Sequence, residues 1–311
     1  AGSVDVVKNA TTDQLKTIQH EYYIPGNAAL FVGGDVSPDT VFELVNKIYG
    51  GWENGENPWK EKSEQPSLSP FPETKWCIMP MDKISADIAE VDVYFRGPDA
   101  DYDYNDIFAG DALCSYLNNP ESTYMKELVN DKVLNIPSAE YVWASSVTAR
   151  KSSTFNFGAV LVEGDADLVK RVKYFKNKVC GCILPDVIKK NSMFKGGFRK
   201  ITIQGIKDSR LLGEETSSGL LQNLRAAWVA AGAEYEYEYL DTVEKLKKED
   251  FTRVMNTYIA GKSPLVVVLV NPAVYEKQKD AFAAAGFIKI TEENAFWTKR
   301  SENEDKTEAQ K

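Results

Sequence analysis

The chain has 311 residues and a mass of 34.8 kDa, long enough for two domains with sizeable cores. Hydrophobic residues make up 43% and charged residues 27%, the balance of an ordinary globular protein. A net charge of −9 argues against nucleic acid and anionic lipid as partners, because both require clustered Lys and Arg. No apolar run approaches the roughly 18 residues that a membrane-spanning helix needs.

The opening AGSVDVV has neither a basic start nor an apolar core, so no signal peptide is expected in it. Residues 12–23 are predicted as a helix. Thr11 or Thr12 can cap it, and Leu15, Ile18 and Tyr22 share one face. Pro25-Gly26-Asn27 ends it, and Ala28–Val32 reads as a short apolar strand. Ser37-Pro38-Asp39 opens a second helix, with serine at the cap and proline at the first helical position. Val41, Leu44, Val45 and Ile48 form its apolar face, and Gly50-Gly51-Trp52 terminates it.

From residue 53 the composition turns charged and Pro-rich, with prolines at 58, 66, 70 and 72. A linker is therefore placed over 59–73, between the end of a first α/β domain (1–58) and a second domain filling 74–300. The tail 301–311, SENEDKTEAQK, is expected to be disordered.

Two strands are predicted after the linker, Lys75–Pro80 and Ala86–Phe95. Helices at Tyr104–Tyr116 and Ser122–Asn130 follow, then strands at Ala139–Val147 and Thr154–Val162. Further helices are expected at 165–179, 185–205, 207–231 and 241–258. Leu265–Val270, LVVVLV, is wholly apolar and reads as a strand buried on both sides, and Ala273–Ala285 as a last helix. Strands and helices in non-alternating order suggest an α+β fold, an antiparallel-rich sheet with helices on one face.

The two ends of the chain resemble each other. Helix, YIPG, NAALFVGG, helix and GGW at one end answer to helix, YIAG, KSPLVVVL, helix and AGF at the other. Tyr23, Ile24, Gly26, Leu30, Val32, Gly51 and Trp52 each stand 235 positions before Tyr258, Ile259, Gly261, Leu265, Val267, Gly286 and Phe287. An ungapped match of this length suggests tandem homologous domains, the first only partly present. Ala28–Val32 would then expose a strand edge, and the chain reads as a fragment of a longer protein.

Several patterns could carry chemistry. Cys77, Cys114, Cys180 and Cys182 are too few for a disulfide scaffold, and Cys180-Gly-Cys182 lacks the two-residue spacing of zinc or thioredoxin-like sites. Buried or idle thiols are expected, with a redox or metal role for Cys180 and Cys182 as the rival. Glu214-Glu215, Glu234/Glu236/Glu238 and Asp99/Asp101/Asp103 lack the pattern of a calcium loop and read as solvated surface. On a strand, Tyr235, Tyr237 and Tyr239 would line one face and the intervening glutamates the other, giving either a half-buried edge or a peptide-contacting surface. Lys195-Gly-Gly-Phe-Arg199 lacks the ending of a phosphate-binding loop. The tryptophans, Trp52, Trp59, Trp76, Trp143, Trp228 and Trp297, are expected to pack cores or domain junctions.

The segment LKTIQHEYYIPGNAALFVGGDVSP resembles the pitrilysin/insulinase family of zinc peptidases, in which a helix ends near such a turn and runs into an apolar strand. NNPESTYMKELVNDKVLN resembles the family's stretch after the first helix of a module, and the Pro-rich linker falls where the family joins its domains. The resemblance implies an inverted zinc motif, H-x-x-E-H, with a downstream glutamate as third ligand. This chain has one histidine, His20, so it cannot supply two imidazoles. His20 reads as a surface or half-buried helix residue. The family's Arg/Tyr substrate clamp is also missing, since the matching positions hold Val129 and Asn135-Ile136.

By resemblance, then, this chain is a non-catalytic portion of a zinc endopeptidase. No catalytic, metal or cofactor residues are assigned in it, and zinc is expected in the parent, bound outside this sequence. The implied role is chamber wall and peptide contact, through an exposed strand that pairs with substrate backbone. The implied partners are the remaining domains of the parent, or a homologous catalytic subunit, and peptide. The family's habits point to the bacterial periplasm or cell envelope. The rival reading is a structural or assembly subunit of the same fold without peptidase activity.

Overall fold

The structure, a computed structural model, describes residues 4–56, 58, 69–100, 104–162, 167–189, 192–291 and 294. In chain order the helices are α1 (Val4–Lys8), α2 (Thr12–Tyr22), α3 (Pro38–Tyr49), α4 (Tyr104–Leu117), α5 (Thr123–Val129), α6 (Leu168–Lys178), α7 (Leu184–Lys189), α8 (Phe198–Gly213), α9 (Ser217–Ala230), α10 (Ala233–Lys245), α11 (Lys248–Val254) and α12 (Pro272–Ala284). The strands are β1 (Lys75–Pro80), β2 (Ile88–Arg96), β3 (Val142–Val147), β4 (Thr154–Val162), β5 (Leu265–Val270) and β6 (Ile288–Lys289). The chain divides into two compact units, one of residues 1–65, 213–225 and 292–311, the other of 66–212 and 226–291. The expected linker lies largely at 59–68, and the expected tail at 301–311, both outside the described residues.

In the first unit α2 begins with a reciprocal cap. The Gln14 backbone N–H donates to Thr11 Oγ1 (3.3 Å), and the Thr11 N–H donates to Gln14 Oε1 (2.9 Å). Pro25–Asn27 forms one 3₁₀ turn, tied down by the Gly26 N–H donating to Asn54 Oδ1 (2.9 Å). Neither α2 nor α3 buries a residue, while Ile24 beside them is 5% exposed. The expected strand Ala28–Val32 is not one. It pairs with no strand among the described residues, and Leu30 and Val32 stand exposed. An apolar run has strand propensity, but only a ladder partner satisfies its backbone groups.

The second unit is built on a six-stranded mixed sheet, in the order β3-β4-β2-β5-β1-β6. β2 runs antiparallel to both β4 and β5, and β3 antiparallel to β4, while β1 is parallel to β5 and β6. Successive side chains alternate between two faces. Ala89, Val91, Val93 and Phe95 of β2, Phe155, Phe157, Ala159 and Leu161 of β4, and Val266, Val268 and Val270 of β5 are all at most 2% exposed. The helices cover this face, so the molecule is α+β as expected. The reading of β5 as buried on both sides is corrected, because Leu265, Val267 and Leu269 face the other way and are half-buried.

α4 is the central helix. It buries residues around most of its circumference, from Ile107 to Leu117, lies against β3, and carries α10 and α11. Gly110 lets it approach the sheet, since a β-carbon there would sit 2.6 Å from the Phe155 ring. Buried Arg171 on α6 donates to the Val133 (3.1 Å) and Leu134 carbonyls, pinning the loop that follows α5.

Three helix predictions are corrected. The expected helix 185–205 is α7, a 3₁₀ turn at Ser192–Phe194, and the start of α8 after Gly196 and Gly197, both at positive φ. The expected helix 207–231 breaks between α8 and α9, and the expected 241–258 breaks at Leu246 between α10 and α11. The tyrosine run is helix α10, not strand, entered at Gly232 with φ of 118°. Tyr235 and Tyr239, one turn apart, are buried, and Tyr237 points to solvent.

Candidate functional site

His20 is exposed on α2 and lines a hollow of about 550 Å³ with Lys16, Gln19, Tyr23, Ile24, Trp52, Glu53, Asn54 and Gly55. Among the described residues no group of three or more His, Cys, Asp or Glu could hold a metal. A tetrahedral zinc centre with two imidazoles does not fit this donor set. Cys77 and Cys114 are buried, Cys180 is partly buried and Cys182 exposed, and all four are free thiols. Cys180 and Cys182 lie in a π-helical turn, Val179–Ile183, where burial pushes the Cys180 thiol up to about 12. Such a thiol is a poor nucleophile and a poor metal ligand at neutral pH.

Two features of the second unit converge polar groups. The first is the sheet face that the helices leave open. Glu90, Asp92 and Tyr94 alternate out of β2 onto it, flanked by Leu265, Val267 and Leu269 of β5 and Val160 of β4. Asp92 is 5% exposed; it accepts a hydrogen bond from Trp143 Nε1 (3.0 Å) and one from Asn156. The Trp143 indole lies against Gly158, where a β-carbon would clash with the ring. Burial raises the Asp92 carboxyl above the ordinary range; burial, with the charge of Asp92, does the same to Glu90. Burial and then both acids push Tyr94 up to about 12. No ion pair is made by Glu90 or Asp92 among the described residues, so the face is an acidic stripe within a half-buried apolar surface. Trp143 thus serves this face rather than a core, and Trp52 and Trp228 are exposed. Trp76 packs on Phe287, while Trp59 and Trp297 lie outside the described residues.

The second feature is a groove of about 490 Å³ beside β3. Asp111, Cys114, Ser115, Asn118 and Asn119 line it from α4 and its end, Ser146 from β3, and Ile201, Thr202 and Gly205 from α8. The Asn118 side chain grips the edge strand: Nδ2 donates to the Ala144 carbonyl (2.7 Å), and Oδ1 accepts the Ala144 N–H (2.8 Å). Strand addition, expected from the sequence, is therefore closed at the middle of this edge. Asp111 accepts from Ser146 Oγ through Oδ1 and from Tyr235 Oη (3.5 Å) through Oδ2, with Tyr239 also bonded to it. Burial pushes its carboxyl up to about 6.

Neither Asp92 nor Asp111 was singled out by sequence reasoning. Each had a signal, however: Asp92 alternates with the buried residues of β2, and Asp111 is the one charge in the apolar run IFAGDALCSYL.

Comparison with known proteins places this architecture. A protease from Helicobacter pylori shares the fold with a TM-score of 0.65 at 22% identity, over 86% of this chain and 61% of that one. A peptidase M16 inactive domain from Pseudomonas fluorescens aligns with a TM-score of 0.61 at 14% identity, over 87% and 60%. The six-stranded sheet with its one-sided helices is thus the fold of these M16-like peptidase domains. The chain belongs to the peptidase M16 inactive-domain family, whose model matches residues 9–181. It is 25% identical over 277 residues to the zinc protease PqqE of Helicobacter pylori, covering 86% of this chain but only 57% of that relative's length.

Proposed function

We propose that this chain is the non-catalytic portion of a zinc endopeptidase of the pitrilysin/insulinase type. Its open sheet face forms part of the wall of the proteolytic chamber and contacts peptide. Zinc is bound by residues outside this sequence, and the chain alone has no peptidase activity. In this reading residues 1–58 complete one α/β domain, 59–73 join it to the next, and 74–300 form that second domain.

The observation that carries the reading is the open face around Glu90, Asp92 and Tyr94. A sheet face left uncovered by its own helices, half apolar and unpaired in charge, is suited to an unfolded chain presenting mixed side chains. The exposed apolar residues of α2 and α3, among them Leu15, Ile18, Phe42, Leu44 and Ile48, support docking of the remaining domains of the parent or of a homologous catalytic subunit. The likeness to the periplasmic protease PqqL from Escherichia coli (TM-score 0.53, 12% identity) fits a bacterial envelope location, and no described helix is long and apolar enough to cross a membrane.

The test is kinetic, in the full-length parent. Glu90→Lys reverses the charge at one end of the stripe without entering the helical core. It should raise KM for an unstructured basic peptide several-fold while leaving zinc content unchanged. An unaltered KM for basic and acidic peptides alike would rule out contact at this face.

A further inference from the structure

We propose that the groove between α4, α8 and the edge of β3 is a binding site for a primary ammonium group, with Asp111 as its acceptor. The groove is a built feature. α8 crosses it with Gly205 in mid-helix, where glycine is a weaker helix former than alanine. A β-carbon at Gly205 would meet nothing within 4 Å, so the glycine leaves open space rather than relieving a clash. Thr202, one turn before it, is 4% exposed and lines the same cavity, yet its Oγ1 has no hydrogen-bond partner. A buried hydroxyl left unsatisfied is costly and marks a place where a ligand's polar atom completes the bonding.

The charge in the groove selects the ligand. Asp111 makes no ion pair among the described residues; burial raises its carboxyl, while its hydroxyl partners and the field of Arg210 favour the charged form. Arg210, the cation whose field reaches it, is committed elsewhere: its guanidinium pairs with Glu236 and lies 4.4 Å from the centre of the Tyr239 ring. Both carboxylate oxygens already accept a hydroxyl, Ser146 on Oδ1 and Tyr235 on Oδ2, with Tyr239 bonded to the same group. That leaves no free edge for the two-pronged approach of a guanidinium, whereas a compact ammonium needs only one lone pair. The unpartnered Thr202 hydroxyl in the same lining is a second acceptor for such an ammonium. The net charge of −9 favours the approach of any cation.

A lysine side chain of a peptide and a free small amine offer the same chemistry. The experiment therefore uses both, on this chain as it stands. Nα-acetyl-lysine amide and a ten-residue unstructured peptide with a single lysine are titrated and followed by NMR. Each is compared with its norleucine counterpart, which keeps the alkyl chain and loses the charge. A charge-assisted hydrogen bond predicts that each lysine probe binds about 10-fold or more tightly than its norleucine partner. Asp111→Asn should abolish that preference. Gly205→Leu, whose β-carbon would meet nothing within 4 Å, places an isobutyl group in the groove and should weaken both lysine probes to the same degree. A lysine peptide that binds more tightly than the small probe identifies peptide as the source, and equal affinity identifies a free amine; either supports the site. Equal binding of lysine and norleucine, or a lysine preference that survives Asp111→Asn, would overturn it. The assay involves no cleavage, so its failure would leave the peptidase reading untouched.

Discussion

Substituting Gly158 by alanine tests how the open sheet face is held. Gly158 lies under the indole of Trp143, and a new β-carbon would overlap the ring. The indole must move away, which separates Nε1 from Asp92, now 3.0 Å apart. Two costs add. Overpacking a tight contact costs about 1–3 kcal/mol. Loss of a hydrogen bond to a buried charged group costs about 1.5–3 kcal/mol. Partial relaxation of the half-buried ring reduces the sum, so a net loss of about 2–4 kcal/mol is expected. At about 2–4 °C per kcal/mol for a unit of this size, Tm should fall by roughly 5–15 °C. Urea unfolding at pH 7, followed by tryptophan fluorescence, measures the change. Trp143→Ala removes the obstacle, so adding Gly158→Ala to it should cost less than about 0.5 kcal/mol. A loss below about 0.5 kcal/mol for the single variant would show that the indole does not lock this face.

Other perturbations have equally definite outcomes. The Asp111 carboxyl is raised from its ordinary 3.8 to about 6, so the folded state holds that proton more tightly than the unfolded state. Its contribution is fully present below the lower value and lost as pH rises through the upper, about 3 kcal/mol in all. Unfolding curves at pH 4 and pH 8 should therefore show wild type losing about 2–3 kcal/mol relative to Asp111→Asn; parallel pH profiles would refute this. Asn118→Ala removes both side-chain bonds to Ala144 and should cost about 1 kcal/mol. The freed β3 edge should also give concentration-dependent association in sedimentation, absent in wild type. Arg96 donates to the carbonyls of Gly97 (3.0 Å), Ser153 (2.7 Å) and Lys151 (2.8 Å) and pairs with Asp99. Arg96→Ala should destabilise by about 3–5 kcal/mol and expose the 148–153 turn to limited proteolysis. An unchanged cleavage pattern would contradict the clamp.

Much of the sheet was legible. β1, β4 and β5 end where turn residues and changes of periodicity end them, at Lys75–Pro80, Thr154–Val162 and Leu265–Val270. The misreadings share a cause, because local pattern was right and tertiary partners decided otherwise. Glu-Tyr repeated three times has the period of a strand, yet Tyr235 and Tyr239 both pack against Phe108 with ring centroids 4.9 Å away, one tilted and one edge-on, which a single helical turn between them achieves. Ala28–Val32 has strand composition but no ladder partner among the described residues. The breaks around Gly196-Gly197 and after Gly213 interrupt helical periodicity without proline, which weakens the stop signal. The absence of two histidines was plain in the composition. The acidic stripe and the groove were not, because Asp92, Trp143 and Gly158, like Asp111, Ser146 and Thr202, come together only through the register of β2, β3 and β4 and the crossing of α4 and α8.

The most direct test of the peptidase account measures zinc content together with cleavage of a quenched, unstructured peptide, on this chain and on the full-length parent. The account predicts stoichiometric zinc and cleavage in the parent and neither in this chain, with His20→Ala changing nothing in the parent. Zinc or cleavage in this chain alone would mean that a centre forms from residues assigned no such role, and a parent with neither would make the protein a scaffold of the same fold.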